Sequence, residues 1–241
     1  GDPTATPTYQ WQQSTSTSGP WENVATGGTG AEYTPSTATV GRLYYRRLVS
    51  SDGCANKASN ILAVTVNPLP TTNVADKTYC AGVSVPGISF SNSVGNGTYT
   101  WSSTVDVGFG TSGTGNIPSF VARNTGTASV VATVTVKATV NGCEGPEASF
   151  NITVYPRPTV TVAFASSSIC AGGSTTVTAT AGGGTGTYNY TWTVPTGATN
   201  PGNVASFSAS VAGSYSVVVT DAMSCNSTTA AAILTVNSLP S

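Results

Sequence analysis

A repeated pattern, rather than any single motif, most constrains what this chain can fold into. Three times the sequence runs from a tryptophan in a strand-like segment to a cysteine, then to a Thr-Val pair and a junction marked by proline. The cysteines of the three copies are Cys54, Cys143 and Cys225, and the Thr-Val pairs end at Val66, Val154 and Val236. An internal repeat of this length predicts similar modules in tandem, each large enough to bury its own core.

The composition predicts strands and turns and argues against several functions. Only 7% of the residues are charged, against about 25% in an average soluble domain. The net charge of −1, without a basic run, argues against nucleic-acid binding, and no apolar stretch approaches the roughly 20 residues of a membrane span. Because the chain has no histidine, it lacks the usual general base and metal ligand. We therefore expect no catalytic residue, no metal site and no cofactor.

Proline-rich junctions near Pro70 and Pro158 predict three domains, over residues 1–70, 71–158 and 159–241. About seven short strands per 80 to 90 residues, separated by turns, predict an all-β chain of immunoglobulin-like sandwiches in an elongated array. Trp101 and Trp192 are expected in the sandwich cores. The expected strands cover residues 9–13, 41–50, 61–66, 99–102, 117–122, 128–140, 148–154, 159–165, 174–181, 188–194, 203–210, 213–220 and 230–236.

Particular strings in each module resemble known families. Tyr9-Gln10-Trp11-Gln12 and Gly19-Pro20-Trp21-Glu22-Asn23-Val24 resemble the immunoglobulin-like repeats of giant surface adhesins in Bacteroidetes. Gly113-Thr114-Gly115-Asn116-Ile117-Pro118-Ser119-Phe120 is similar to the PKD-like domain of the same proteins, and this resemblance implies a PKD-like sandwich over residues 71–158. Gly213-Ser214-Tyr215-Ser216-Val217-Val218-Val219-Thr220-Asp221 resembles the repeats of the gliding-motility adhesin of that phylum.

This resemblance implies a non-catalytic, structural or adhesive segment of a large secreted protein. Such a protein is exported by the type 9 secretion system and lies at the cell surface, associated with the outer membrane, where it serves surface attachment and gliding motility. The implied partners are extracellular surfaces or polysaccharide, bound through the whole protein, and the neighbouring repeats. The alternative is a set of carbohydrate-binding or spacer modules from a secreted polysaccharide-degrading enzyme.

The cysteines predict disulfides in an oxidising compartment. Cys80 and Cys170 begin the related strings Cys80-Ala81-Gly82 and Cys170-Ala171-Gly172, and each is followed by one late cysteine in its own domain. We expect Cys80 to pair with Cys143 and Cys170 to pair with Cys225.

The early cysteine precedes the strand tryptophan by 21 residues from Cys80 to Trp101 and by 22 from Cys170 to Trp192, and the same count back from Trp11 falls before Gly1. We therefore expect the first domain to be truncated, without its first two strands, and Cys54 to be unpaired. The alternative is that a strand from another chain completes this domain.

Two features permit a ligand site as well as a structural role. Asp52 and Asp221 each lie shortly before the late cysteine of their domain. Each could be a calcium ligand or the cap of a turn, and we favour the turn cap. The glycine-rich residues 182–186 resemble a phosphate loop, but no helix pattern follows them. A flexible hairpin is the favoured interpretation.

Arg42, Arg46 and Arg47 form the one basic cluster. Arg42 and Arg46 alternate with Tyr44 along one strand face, a row that suits an anionic glycan. The interpretation we favour is a solvated outer face on which each guanidinium lies over an aromatic ring.

Overall fold

The computed structural model describes residues 6–51 and 54–240, with the backbone alone at residues 54 and 55. Within these ranges every regular element is a strand, and there is no helix. The chain divides into two compact units. One comprises residues 1–70 with Val140–Glu144, and the other comprises Thr71–Thr139 with Gly145–Ser241. The expectation of an all-β fold is confirmed.

The described strands of residues 6–70 in the first unit form one antiparallel sheet. They are β1 (Thr8–Ser14), β2 (Glu22–Asn23), β3 (Gly41–Ser51), β4 (Cys54–Ala58) and β5 (Leu62–Val66). The order is β2-β1-β3-β4, with β5 also paired to β3. Tyr45 of β3 and Val24 are buried here. The truncation of this domain stays a prediction.

The first sandwich of the second unit is built around the long strand β13. Its strands are β6 (Thr72–Asn73), β7 (Lys77–Cys80), β8 (Ser84–Val85), β9 (Ser91–Asn92), β10 (Thr98–Ser103), β11 (Ser112–Thr114), β12 (Phe120–Val121), β13 (Val130–Val140) and β15 (Ala148–Tyr155), whereas β14 (Cys143–Glu144) falls in the short stretch grouped with the first unit. The main sheet has the order β11-β10-β13-β15-β7, and β12-β8 and β6-β9 form two further strand pairs. Alternate residues of β13, from Ala132 to Val140, are buried, as their period of two predicts.

The second sandwich of this unit has two sheets. Its strands are β16 (Pro158–Phe164), β17 (Ser168–Cys170), β18 (Thr175–Gly183), β19 (Asn189–Thr193), β20 (Ser206–Ala209), β21 (Gly213–Thr220) and β22 (Ala230–Asn237). The sheets have the orders β16-β18-β20 and β17-β22-β21-β19. Each sandwich buries its own hydrophobic cluster. Trp101 and Trp192 lie in these clusters with 5% and 3% of their surface exposed, which confirms their expected place.

One strand arrangement recurs in both sandwiches of the second unit. The short strand β7 runs parallel to β15, the last strand of its sandwich, and β17 runs parallel to β22 in the same way. Sequence reasoning missed both short strands. The domain boundaries near Pro70 and Pro158 stay predictions.

Candidate functional site

The most distinctive chemical feature of the chain is a disulfide that crosses from one sandwich to the next. It joins Cys80, the last residue of β7, to Cys225 in the loop between β21 and β22. Cys225 is fully buried and Cys80 is half-buried. We call this bond the junction bridge, because it spans the connector at Pro156 and Pro158, both of which are buried.

The expected pair Cys80–Cys143 is therefore wrong, and the parallel strands explain why. Cys80 lies opposite Tyr155, the last residue of β15, whereas Cys143 precedes Ala148, the first residue of that strand. A strand of eight residues is about 26 Å long. Because Cys80 lies beside the end of β15 and Cys143 lies before its start, the two sulfur atoms are too far apart to bond.

The expected pair Cys170–Cys225 fails for the same reason. Cys170 lies opposite Asn237 at the end of β22, and Cys225 comes before that strand begins at Ala230. Cys170 is free and exposed, and Cys143 is free and half-buried. The expectation that Cys54 is unpaired falls on a side chain outside the described residues.

Asp221 holds the loop that carries Cys225. Its Oδ1 accepts hydrogen bonds from the backbone N–H groups of Met223 and Cys225, both at 2.9 Å. Its Oδ2 accepts a third from the N–H of Thr185 at 2.8 Å. The side chain is 3% exposed. The turn-cap interpretation is confirmed for Asp221, whereas Asp52 lies outside the described residues.

Arg157 adds a polar contact beside the junction bridge. Its Nε donates to the carbonyl oxygen of Asn226 at 2.6 Å, and its Nη2 donates to that of Ser227 at 3.4 Å. A Cβ placed on Gly82 would lie 3.5 Å from Nη1 of the same side chain. The guanidinium is thus hydrogen-bonded to the residues after Cys225 and lies near Gly82 in the turn after Cys80.

The glycine-rich segment over residues 182–186 packs on this junction. It connects β18 in one sheet to β19 in the other, so the expected hairpin is wrong. Gly184 has φ of +63°, and a Cβ there would lie 2.8 Å from Oδ2 of Asp221 and 2.9 Å from Cβ of Pro158. Glycine is needed at this position because the backbone is left-handed and closely approached.

The basic cluster of the first unit is engaged with aromatic rings. The Arg46 guanidinium carbon lies 4.3 Å from the centre of the Trp21 ring, and its Nε donates to Oε1 of Gln12 at 2.9 Å. The guanidinium carbon of Arg42 lies 5.2 Å from the Tyr44 ring centre. These contacts confirm the interpretation of guanidinium groups over aromatic rings.

Arg47 lies on the opposite face of β3, because successive side chains of a strand alternate between the two faces. Its guanidinium carbon lies 4.8 Å from the Tyr9 ring centre and 5.7 Å from that of Trp11. The Trp11 indole donates from Nε1 to the carbonyl oxygen of Gly30 at 3.1 Å. The charges of Arg42, Arg46 and Arg47 are thus each matched to a ring of their own unit.

In the part of the chain that the structure describes, no three acidic or cysteine side chains come close enough together to hold a metal ion. No helix there is long and apolar enough to cross a bilayer.

Known proteins resemble this chain in two ways. A family model matches the sequence of its first 68 residues, and solved structures resemble its arrangement of strands. Residues 1–68 match the family model described as a domain of unknown function, DUF8696. No curated protein sequence matches the chain.

Solved structures of multidomain β proteins are similar in fold. Drosophila OTK extracellular domains 3–5 are 14% identical, with 98% of this chain and 88% of that chain covered and a TM-score of 0.41. The titin I-band fragment I67–I69 is 10% identical, with 98% and 89% covered and a TM-score of 0.45. The insect immune protein hemolin is 12% identical, with 98% and 68% covered and a TM-score of 0.37.

Proposed function

We propose that the chain is a non-catalytic structural segment of a large secreted adhesin at the bacterial cell surface. In this role the segment transmits load between the cell and an adhesive part of the protein during surface attachment and gliding, through the bond described next. The junction bridge between Cys80 and Cys225 is the observation that carries the proposal. A bond that fixes one sandwich to the next has no role in recognising a small ligand, but it resists separation of the two sandwiches.

The same bond supports export from the cytoplasm. Structural disulfides persist in oxidising compartments and are rare where thiols are kept reduced. Buried at Cys225 and flanked by the Arg157 contacts, the bridge is a structural bond rather than an exposed redox pair. Type 9 secretion and association with the outer membrane follow from the resemblance to Bacteroidetes adhesins and belong to the proposal.

Surface labelling tests the proposed location and role. Antibodies raised against this chain are expected to label intact, unpermeabilised cells of the organism that makes it, and the label is expected to move along gliding cells. Cells in which the gene is deleted should lose label and attach poorly to glass. Label that appears only after permeabilisation would contradict the proposal.

The alternative function, a carbohydrate-binding module, makes a different prediction for the first unit. It requires an aromatic face that is free to stack on a sugar ring, and the stacked guanidinium of Arg46 already covers a face of Trp21. On a glycan array we expect no saturable binding by the whole chain. Binding to one polysaccharide that is lost in Trp21→Ala but kept in Cys170→Ser would favour the alternative.

A further inference from the structure

Cys170 occupies the same structural position as Cys80. Each ends a short strand that runs parallel to the last strand of its sandwich, with Cys80 opposite Tyr155 and Cys170 opposite Asn237. The following residue donates its N–H to that opposite carbonyl, from Ala81 at 2.9 Å and from Ala171 at 2.8 Å.

The turns after the two cysteines also match. Gly82 has φ of +83° and Gly172 has φ of +84°. In each turn the N–H three residues after the cysteine donates to the cysteine carbonyl oxygen, from Val83 at 3.2 Å and from Gly173 at 2.9 Å. The two cysteines therefore lie at the same end of their sandwiches and have the same local backbone geometry.

The difference between them is the neighbour. Cys80 is followed along the chain by a sandwich whose late loop supplies Cys225, and the two are bonded. Cys170 is free and exposed. A proline recurs at the same spacing after the last strand of both sandwiches, because Pro158 follows Val154 by four residues and Pro240 follows Val236 by four.

We infer that Cys170 is the attachment point for another sandwich of this kind. Its thiol forms a disulfide with the cysteine in the loop before the last strand of that sandwich, the position that Cys225 occupies here. The repeats would then be linked by a series of bonds, each from the early cysteine of one sandwich to the late cysteine of the next. This inference does not depend on what the protein adheres to.

The chemistry needs an oxidant of the disulfide class. Joining the two thiols releases two protons and two electrons, and oxidised glutathione takes them up to become two molecules of the reduced thiol. A four-residue connector holds the two sulfur atoms at a high effective concentration, so the bond within the chain forms ahead of a bond between chains.

A chain extended by one sandwich tests the inference. Residues 159–241 are joined a second time directly after Pro240 of the whole chain, and the added copy carries Met223→Leu, an exposed position that marks its peptides by mass. After refolding in a mixture of reduced and oxidised glutathione, peptides are mapped without reduction. We expect the original Cys80–Cys225 bond together with a bond from the original Cys170 to the added Cys225.

Two variants of the extended chain make the outcome decisive. Cys170→Ser should leave the added Cys225 open to alkylation while Cys80–Cys225 persists, which shows that the fold is intact. Leu239→Arg places an arginine where Arg157 stands in the first junction and should raise the bonded fraction. The inference is overturned if Cys170 and the added Cys225 both remain free, carry glutathione, or bond to Cys143 while the original bridge is present.

Discussion

Asp221 acts through the backbone around it rather than through a ligand. Its carboxylate is almost fully buried and accepts three hydrogen bonds from backbone N–H groups. Two of them fix the loop of Cys225, and the third ties in the glycine-rich segment at Thr185. A single side chain therefore sets the position of the buried sulfur in the junction bridge.

Replacing Asp221 should loosen the bridge loop and lower stability. Asp221→Ala leaves three N–H groups without their acceptor, and we expect it to cost about 3 kcal/mol in the free energy of unfolding. Asp221→Asn keeps one acceptor oxygen and should cost less. Urea denaturation of the three proteins measures both effects, and an alanine variant as stable as the parent would contradict this role for the carboxylate.

We expect protonation of Asp106 to cause a small loss of stability in acid. Backbone N–H groups of Gly108 and Gly110 donate to its Oδ1 at 2.7 and 2.8 Å, and they lower the pKa of this carboxyl from its ordinary value of 3.8. Because the folded pKa lies below the unfolded one, the stabilisation is present above pH 3.8 and is lost as the pH falls through the folded value.

The titration of Asp106 can be measured directly. Carboxyl NMR shifts should give a midpoint below 3.8 in the folded chain. Asp106→Asn keeps an acceptor oxygen but does not titrate, so its stability should fall less between pH 5 and pH 2 than that of the parent. A midpoint at or above 3.8 would show that the two hydrogen bonds do not form in solution.

At the level of strands, the sequence predicts the long strands, because their apolar residues alternate over many positions. β13 was expected for this reason, and so were the long strands of the last sandwich. β7 and β17 have four and three residues, too few to show a period. Their parallel partners lie more than 60 residues away in sequence, so nothing local reveals the pairing.

That one omission produced the wrong disulfides. The four cysteines were recognised as structural, and the likeness of Cys80 to Cys170 was visible in the sequence. Without the parallel strand, however, each early cysteine was expected to face the late cysteine of its own sandwich. The direction of the three-residue strand β17 decides which residue Cys170 can reach. A strand this short shows no pattern in the sequence from which its direction could be predicted.

The turns after β7 and β17 predict matched responses to mutation. Gly82→Ala and Gly172→Ala each force a residue with Cβ into a left-handed conformation, and each should cost about 1 kcal/mol in stability. Neither added methyl group meets an atom closer than 3.5 Å, so the cost is in the backbone alone. Thermal denaturation compares the two variants. A difference above about 1 kcal/mol would show that the turns are not equivalent.

Across the whole chain, the junction bridge should supply a large share of the stability of the second unit. It closes a loop of 145 residues, for which the chain-entropy model gives a stabilisation of about 5 kcal/mol. Cys80→Ser with Cys225→Ser should therefore lower the urea midpoint clearly. The matched control, Cys143→Ser with Cys170→Ser, removes two free thiols and should leave the midpoint unchanged. Equal midpoints for the two double variants would contradict the prediction.

The position of this bond also sets how far the chain can be stretched. When the chain is pulled from its two ends, tension passes from Cys80 to Cys225 through the disulfide, and the segment between the two cysteines carries none of it. The contour length of this segment, roughly 490 Å at full extension, stays hidden until the sulfur atoms part. Force spectroscopy should recover that length only after a reductant is added. In an array built from such segments, this part of the extension would be released by reduction rather than by load.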